Sequence, residues 1–203
     1  GGYYSGFGSL PRDTEVSLCS NETVNLYDAI TGNPEPNGTW TVPSGAPLLN
    51  GNDFIGTINT PGDYIYTFSK DCDNSNLRIP VTVSIAIEQA PFVGTNKALS
   101  ICKNNTSVDL FTLLDPGVTT GGTWSPALAS GTGLFNPAID NSGTYLYTIP
   151  ASAVCSSVSA SIVVTNNPVP VVTNQTVIVC SDVAITFSLD NLITGTGDTF
   201  TYS

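Results

Sequence analysis

The chain repeats itself, and the repeat carries its cysteines along. Cys19 to Cys72 is a step of 53 residues, and so is Cys102 to Cys155. Between each pair lies the same ordered set of landmarks. The first copy has Gly38-Thr39-Trp40, Phe54 and Gly62-Asp63-Tyr64-Ile65-Tyr66-Thr67. The second has Gly122-Thr123-Trp124, Phe135 and Gly143-Thr144-Tyr145-Leu146-Tyr147-Thr148. The offset is 83 at the first cysteine, 84 at the tryptophan and 81 at the phenylalanine and tyrosines. An offset this constant marks one structural unit, copied. A repeat array more often spans, displays or adheres than catalyses.

A third copy opens at Val177-Ile178-Val179-Cys180, which matches Val16-Ser17-Leu18-Cys19 and Leu99-Ser100-Ile101-Cys102. By the same spacing a partner for Cys180 is expected roughly 53 residues further on, beyond Ser203, which leaves Cys180 unpaired in this chain. With no methionine among the residues, the chain reads as a piece of a longer protein. The domain expectation is a linker or tail of a preceding unit over 1–12, repeat 1 over 13–90, repeat 2 over 91–167 and the start of an incomplete third repeat over 168–203.

Local pattern gives the fold class. Tyr64, Tyr66 and Phe68 alternate with Ile65 and Thr67; Val81, Val83, Ile85 and Ile87 alternate with Thr82, Ser84 and Ala86. In the second copy Val158, Ala160, Ile162 and Val164 alternate with Ser159, Ser161 and Val163. Period-two alternation bounded by turn residues such as Thr60-Pro61-Gly62-Asp63 and Asn141-Ser142-Gly143 predicts half-buried antiparallel strands. One helical turn is expected at Leu26–Ile30 and at its equivalent, Leu110–Leu114. Units of about 80 residues with a strand roughly every ten predict an all-β chain of tandem Ig-like β-sandwich domains, head-to-tail. The joints, 88–96 and 166–174, are short and contain proline, so they should be stiffer than Gly/Ser linkers.

Composition narrows the function classes. The hydrophobic share is 40%, enough to fill a core, while charged residues are only 10%. Net charge is −11 and the five cations are scattered, so no basic patch exists to neutralise phosphates, which argues against nucleic acid as a partner. There is no histidine, so no His-based triad or dyad can form. None of the twelve Asp and four Glu residues recurs as a pair in both copies. The chain therefore reads as non-enzymatic, with no catalytic residue.

Paired cysteines at a repeated spacing in domains this small point to structural disulfides in an oxidising compartment. The expected pairs are Cys19–Cys72 and Cys102–Cys155, each tying the first strand of a repeat to the end of its tyrosine strand or the turn after it. Closing a loop of that size stabilises by about 4 kcal/mol on the chain-entropy model. A metal site lacks ligands, with neither histidine nor Cys-x-x-Cys.

Other candidates each have a plainer explanation beside the functional one. Asp71 and Asp73 place oxygens at alternate positions, as calcium loops do, but the matching segment around Cys155 has no acid and a solvated acidic turn serves as well; no other cofactor is implied. Trp40 and Trp124 suit sugar stacking, yet their recurrence at one register suits a core tryptophan beside the disulfide. The tyrosines of Gly-x-Tyr-x-Tyr could stack on sugars, but alternation sends Tyr64 and Tyr66 to one face, which suits a tyrosine corner, in which the hydroxyl returns to nearby backbone. Lys–Asn isopeptide bonds need a buried lysine, and the lysines here lie beside turns or linkers. Asn21, Asn37, Asn104, Asn105 and Asn174 head glycosylation tripeptides, which matter only where the source glycosylates.

The string Gly121-Gly122-Thr123-Trp124-Ser125-Pro126, then Gly133-Leu134-Phe135-Asn136-Pro137-Ala138, then Gly143-Thr144-Tyr145-Leu146-Tyr147-Thr148 and Cys155 resembles a repeat of very large surface proteins of Bacteroidota. These are the SprB-like gliding-motility adhesins exported by the type IX secretion system. The resemblance covers both full repeats and the start of the third; repeat 1 departs at 43–53 and repeat 3 at 197–202. It implies an extracellular, cell-surface protein, anchored at the outer membrane through other parts of its parent. Its repeats would serve as a stiff stalk in adhesion and gliding. The implied partners are a surface polysaccharide or abiotic surface, neighbouring repeats of the same chain, and the outer-membrane gliding and secretion machinery. Two other functions fit the residues. One is a carbohydrate-binding or spacer module of a secreted polysaccharide-degrading enzyme. The other is a purely structural subunit of a surface fibre.

Overall fold

A computed structural model describes residues 10–72 and 75–170, the side chains of 71–76 excepted. Cys180 and Asn174 lie outside the described residues.

Repeat 1 builds two sheets. The larger runs in the order β1-β6-β5-β3, from strands Thr14–Cys19 (β1), Thr39–Thr41 (β3), Gly62–Cys72 (β5) and Ser75–Glu88 (β6). The smaller pairs β2, Thr23–Asn25, with β4, Asp53–Ile55. Strands β5 and β6 form a long antiparallel hairpin, while β1 lies parallel to β6 at the sheet edge. Repeat 2 has the same plan. Strands Lys97–Cys102 (β7), Thr123–Ser125 (β9), Gly143–Ile149 (β11) and Val158–Asn167 (β12) make a sheet ordered β7-β12-β11-β9. Val108–Asp109 (β8) and Leu134–Phe135 (β10) form the second sheet, and β7 is again parallel to the last strand. Two sheets facing across one core, with a parallel edge strand at the first position, make each repeat an Ig-like β-sandwich.

The alternation read from sequence sets the inward face. Tyr64, Tyr66, Phe68, Val81, Val83 and Ile85 are all buried, as are Ala160, Ile162 and Val164 in repeat 2. Successive side chains of a strand point to opposite faces, so one face collects the apolar set. Burying each large side chain contributes about 1.5–3 kcal/mol. From the opposite sheet Phe54 meets Tyr64 edge-on at 5.4 Å, and Phe135 meets Tyr145 at 5.6 Å. This recurring T-shaped contact holds the sheets together in both repeats.

The two helical turns are present. Leu26–Ala29 forms α1, capped by Asn25, whose Oδ1 accepts from the backbone N–H groups of Tyr27 and Asp28. Leu110–Leu113 forms a 3₁₀ turn capped by Asp109, which accepts from the N–H of Phe111. Asn and Asp satisfy otherwise orphaned N–H donors at a helix start. Each cap projects a leucine, Leu26 or Leu110, into a fully buried position.

The compact units do not follow the repeat boundary. The first takes in the chain up to Val93 together with Gly117–Gly122 and Thr148–Ser159; the second takes in Gly94–Pro116, Thr123–Tyr147 and the chain from Ala160. The turn that carries Cys155 thus belongs to the first unit, although its sequence lies in repeat 2.

Candidate functional site: a disulfide across the repeat boundary

The cysteine pairing expected from spacing is corrected by the structure. Cys19 is bonded to Cys155, with Cα atoms 5.0 Å apart and a sequence separation of 136. Neither Cys19–Cys72 nor Cys102–Cys155 forms, and Cys102 is free and half-buried. The reason lies in the direction of the edge strand. Because β1 is parallel to β6, Cys19 stands opposite Glu88 at the end of β6, whereas Cys72 stands opposite Ser75 at its start. The positions are 13 residues apart along one strand, about 43 Å at the usual rise. A disulfide tolerates a Cα separation of only about 7 Å. In repeat 2 Cys102 stands opposite Asn167, the last residue of β12, and Cys155 precedes its first, Val158.

The chain around the bond is pinned residue by residue. Cys19 ends β1, and its N–H donates to the Glu22 carboxylate at 3.0 Å. Ser20 continues the parallel pairing, its N–H donating to the Glu88 carbonyl at 2.8 Å. The Ser20 hydroxyl oxygen accepts from the Ala90 N–H at 2.9 Å and from the Gln89 side-chain amide at 3.1 Å. Phe92 and Thr119 exchange two bonds: the Phe92 N–H donates to Thr119 Oγ1 at 2.9 Å, and the Thr119 N–H donates to the Phe92 carbonyl at 2.7 Å. Cys155 is presented by a tight turn in which Ser152 Oγ accepts from its N–H at 2.8 Å and the Ser152 N–H donates to its carbonyl at 2.9 Å. Its Sγ rests 3.7 Å from the Glu88 carbonyl and 3.9 Å from that of Gln89. A disulfide sulfur has no proton, so these are packing contacts. The segment 88–92 is therefore held by Ser20, Thr119 and Cys155 together. Both cysteines are buried, at 3% exposure each, which shields the bond from external thiols.

The tyrosines are structural. Tyr64 donates its hydroxyl to the Thr60 carbonyl at 2.7 Å, and Tyr145 donates to the Asn141 carbonyl at 2.8 Å, both four residues back. This is the tyrosine-corner geometry in both copies. Burial pushes both hydroxyls above the ordinary tyrosine pKa, with Asp140 adding to the effect at Tyr145. Tyr66 donates to the Glu35 carbonyl at 2.8 Å and accepts from the Gly38 N–H at 2.8 Å. Glycine is required at position 38, since a Cβ there would stand 2.8 Å from the Thr67 carbonyl oxygen.

Trp40 and Trp124 each lie on the short strand beside the tyrosine strand, half-buried. Trp40 leans on Tyr66 at 5.0 Å and 50°, and Trp124 on Tyr147 at 5.2 Å and 49°. The expected neighbour was a disulfide; the structure puts a tyrosine ring there instead. The indole N–H of Trp40 donates to Asn52 Oδ1 at 2.9 Å. These contacts tie up the buried face of each ring in the core.

For calcium, Asp73 lies outside the described residues and only the backbone of Asp71, on β5, is described. Among the described residues no cluster of three or more metal-ligating side chains occurs. Asn21, Asn37, Asn104 and Asn105 are exposed. Lys97 is engaged in an ion pair, its Nζ 2.5 Å from Asp115 Oδ1. That hydrogen bond, followed by the N–H and hydroxyl of Thr95, lowers the Asp115 pKa to about 2. Gly94 makes room for the arrangement, with φ of +73° and no side chain where a Cβ would meet the Asp115 carboxylate at 2.6 Å. Sequence reasoning missed this pair because neither member recurs in repeat 1.

No protein-family model and no curated protein matches the chain. Among solved structures it is similar at 18% identity to extracellular domains 3–5 of Drosophila OTK, over 76% of this chain and 60% of that one, with a TM-score of 0.38. It is similar at 14% identity to the titin I-band fragment I67–I69, over 81% of this chain and 66% of that one, with a TM-score of 0.37. It is similar at 14% identity to human mucin-like protocadherin EC1-2, over 80% of this chain and 99% of that one, with a TM-score of 0.29. Likenesses this distant carry no inference about function. Among the described residues no helix is long and apolar enough to cross a membrane.

Proposed function

We propose that this chain is a load-bearing spacer of a large extracellular adhesin, whose Ig-like repeats hold a binding end away from the cell and carry traction. The observation that carries the reading is the Cys19–Cys155 bond, which cross-links successive repeats in sequence. Tension entering before Cys19 and leaving after Cys155 passes through the bond. The residues between them, including the whole β5–β6 hairpin, then lie outside the load path. A buried disulfide also suits an oxidising, extracellular location.

The finer reading is gliding motility at the surface of a Bacteroidota cell, with export by the type IX system and outer-membrane anchoring elsewhere in the parent. It rests on the resemblance of the Gly-Gly-Thr-Trp, Gly-x-Phe-Asn-Pro and Gly-x-Tyr-x-Tyr strings. Under gliding, an envelope motor would move the filament along the cell while it grips a surface polysaccharide or an abiotic surface. A glycan-binding module of a secreted enzyme is less well supported, since both tryptophans pack on core tyrosines. The test is fluorescent antibody labelling of live source cells, together with deletion of the repeats from the parent. Label travelling along the outer surface, and loss of attachment or movement on deletion, are expected. Attachment and movement that survive deletion would defeat the proposal.

A further inference from the structure

Cys102 occupies the same place in repeat 2 as Cys19 in repeat 1. Each is the last residue of the parallel edge strand, and each stands opposite the last residue of the final strand, Glu88 for Cys19 and Asn167 for Cys102. The surrounding backbone bonds coincide. The Ser20 N–H donates to the Glu88 carbonyl at 2.8 Å and the Lys103 N–H to the Asn167 carbonyl at 3.0 Å. The Glu22 N–H donates to the Cys19 carbonyl at 2.9 Å and the Asn105 N–H to the Cys102 carbonyl at 3.0 Å. One cysteine of this matched pair is bonded and buried; the other is free and half-buried.

We propose that Cys102 is the open half of a second staple of the same kind, and that its partner is the second cysteine of a following copy of the repeat. In the bond that is present, the first-strand cysteine of one repeat takes the second cysteine of the next, Cys155. The same rule applied once more assigns Cys102 to the equivalent cysteine one repeat on. Cys180 does not qualify, because its setting, Val177-Ile178-Val179-Cys180, makes it a first-strand cysteine like Cys102 itself. Cys72 does not qualify either: it is the counterpart of Cys155 and by the same rule serves the repeat before it. Such an array is a covalent ladder in which every joint carries one cross-link.

Closing the bond requires a disulfide oxidant, such as oxidised glutathione. The Cys102 thiolate attacks one of its sulfurs and expels one glutathione thiolate. The partner thiolate then attacks the Cys102 sulfur of the mixed disulfide and expels the second. Two protein thiols lose two electrons and two protons, and one oxidised glutathione becomes two reduced glutathiones.

The test is non-reducing peptide mapping of the protein as its own cells export it, after alkylation of free thiols with iodoacetamide. The expected result is a Cys102 peptide cross-linked to a cysteine peptide other than those of Cys19, Cys72, Cys155 and Cys180, with loss of Cys102 alkylation until reductant is added. A Cys102 peptide alkylated without reduction, or linked to Cys72, Cys155 or Cys180, overturns the proposal. The readout does not depend on whether cells use the protein to adhere, so its failure and that of the adhesin reading are separable.

Discussion

Cys19 and Cys155, 136 residues apart in sequence, are joined by a disulfide that the matched 53-residue spacings do not announce. The bond turns most of the described chain into a covalent loop. On the chain-entropy model a loop of that length constrains the unfolded state by about 5 kcal/mol, against about 4 kcal/mol for the shorter loops expected from spacing.

Pulling on a single molecule by its two ends reads the pairing directly. Adding reductant should release about 450–490 Å of hidden contour length, the extended span of 136 residues. Steps near 180 Å, the span of about 53 residues, would restore pairing within a repeat. In bulk, Cys19→Ser should lower the unfolding free energy by about 2–5 kcal/mol, as measured by denaturant titration.

The tyrosine corners should behave alike in both copies. Tyr64→Phe and Tyr145→Phe each remove one hydroxyl donor to a backbone carbonyl, at Thr60 and Asn141. Each should cost about 1–2 kcal/mol, because the carbonyl loses its partner in a part-buried setting. Tyr66→Phe removes a donor to Glu35 and an acceptor for Gly38 together, and should cost more. Equal stability of the Tyr66→Phe and Tyr64→Phe variants would contradict the double role of Tyr66.

Trp40→Ala should be destabilising by about 2–3 kcal/mol, below the range for a fully buried tryptophan because the ring is half-exposed. It strips packing from Tyr66 and leaves Asn52 Oδ1 without its donor. Thermal unfolding followed by circular dichroism checks the size. Full stability combined with loss of glycan binding would reassign this residue to a ligand site.

The Asp115–Lys97 pair gives an acid dependence whose sign is fixed. The folded-state pKa of Asp115 is depressed to about 2 from the ordinary 3.8, so its contribution is fully present above the unfolded value and is lost as pH falls toward 2. Asp115→Asn should therefore melt below the parent protein at pH 7, with the gap narrowing from about pH 4 down to pH 2. A gap that stays constant over that window would show that the carboxylate charge is not what matters.

Much of the fold was legible in the residues. The alternation of Tyr64, Tyr66 and Phe68 named the inward face, and Gly-x-Tyr-x-Tyr named the corner in both copies. Leu26–Ile30 and Leu110–Leu114 were readable as helical turns. All of these are local: period, capping chemistry and turn residues act within a few positions of the chain. The Asp115–Lys97 pair was not legible, because it joins residues 18 apart through a turn whose shape only the folded chain sets.

Sequence alone determined that this chain is a copied all-β unit with a shared core and matched cysteines. Only the tertiary structure decided which cysteines meet. Alternation says that Thr14–Cys19 is a strand, but not which strand it pairs with or in which direction. Parallel pairing with β6 carries Cys19 to Glu88, away from Cys72 and up to the turn that holds Cys155. Strand direction at a sheet edge is set by the non-local packing of the whole sandwich, and a pattern of period two is the same read in either direction.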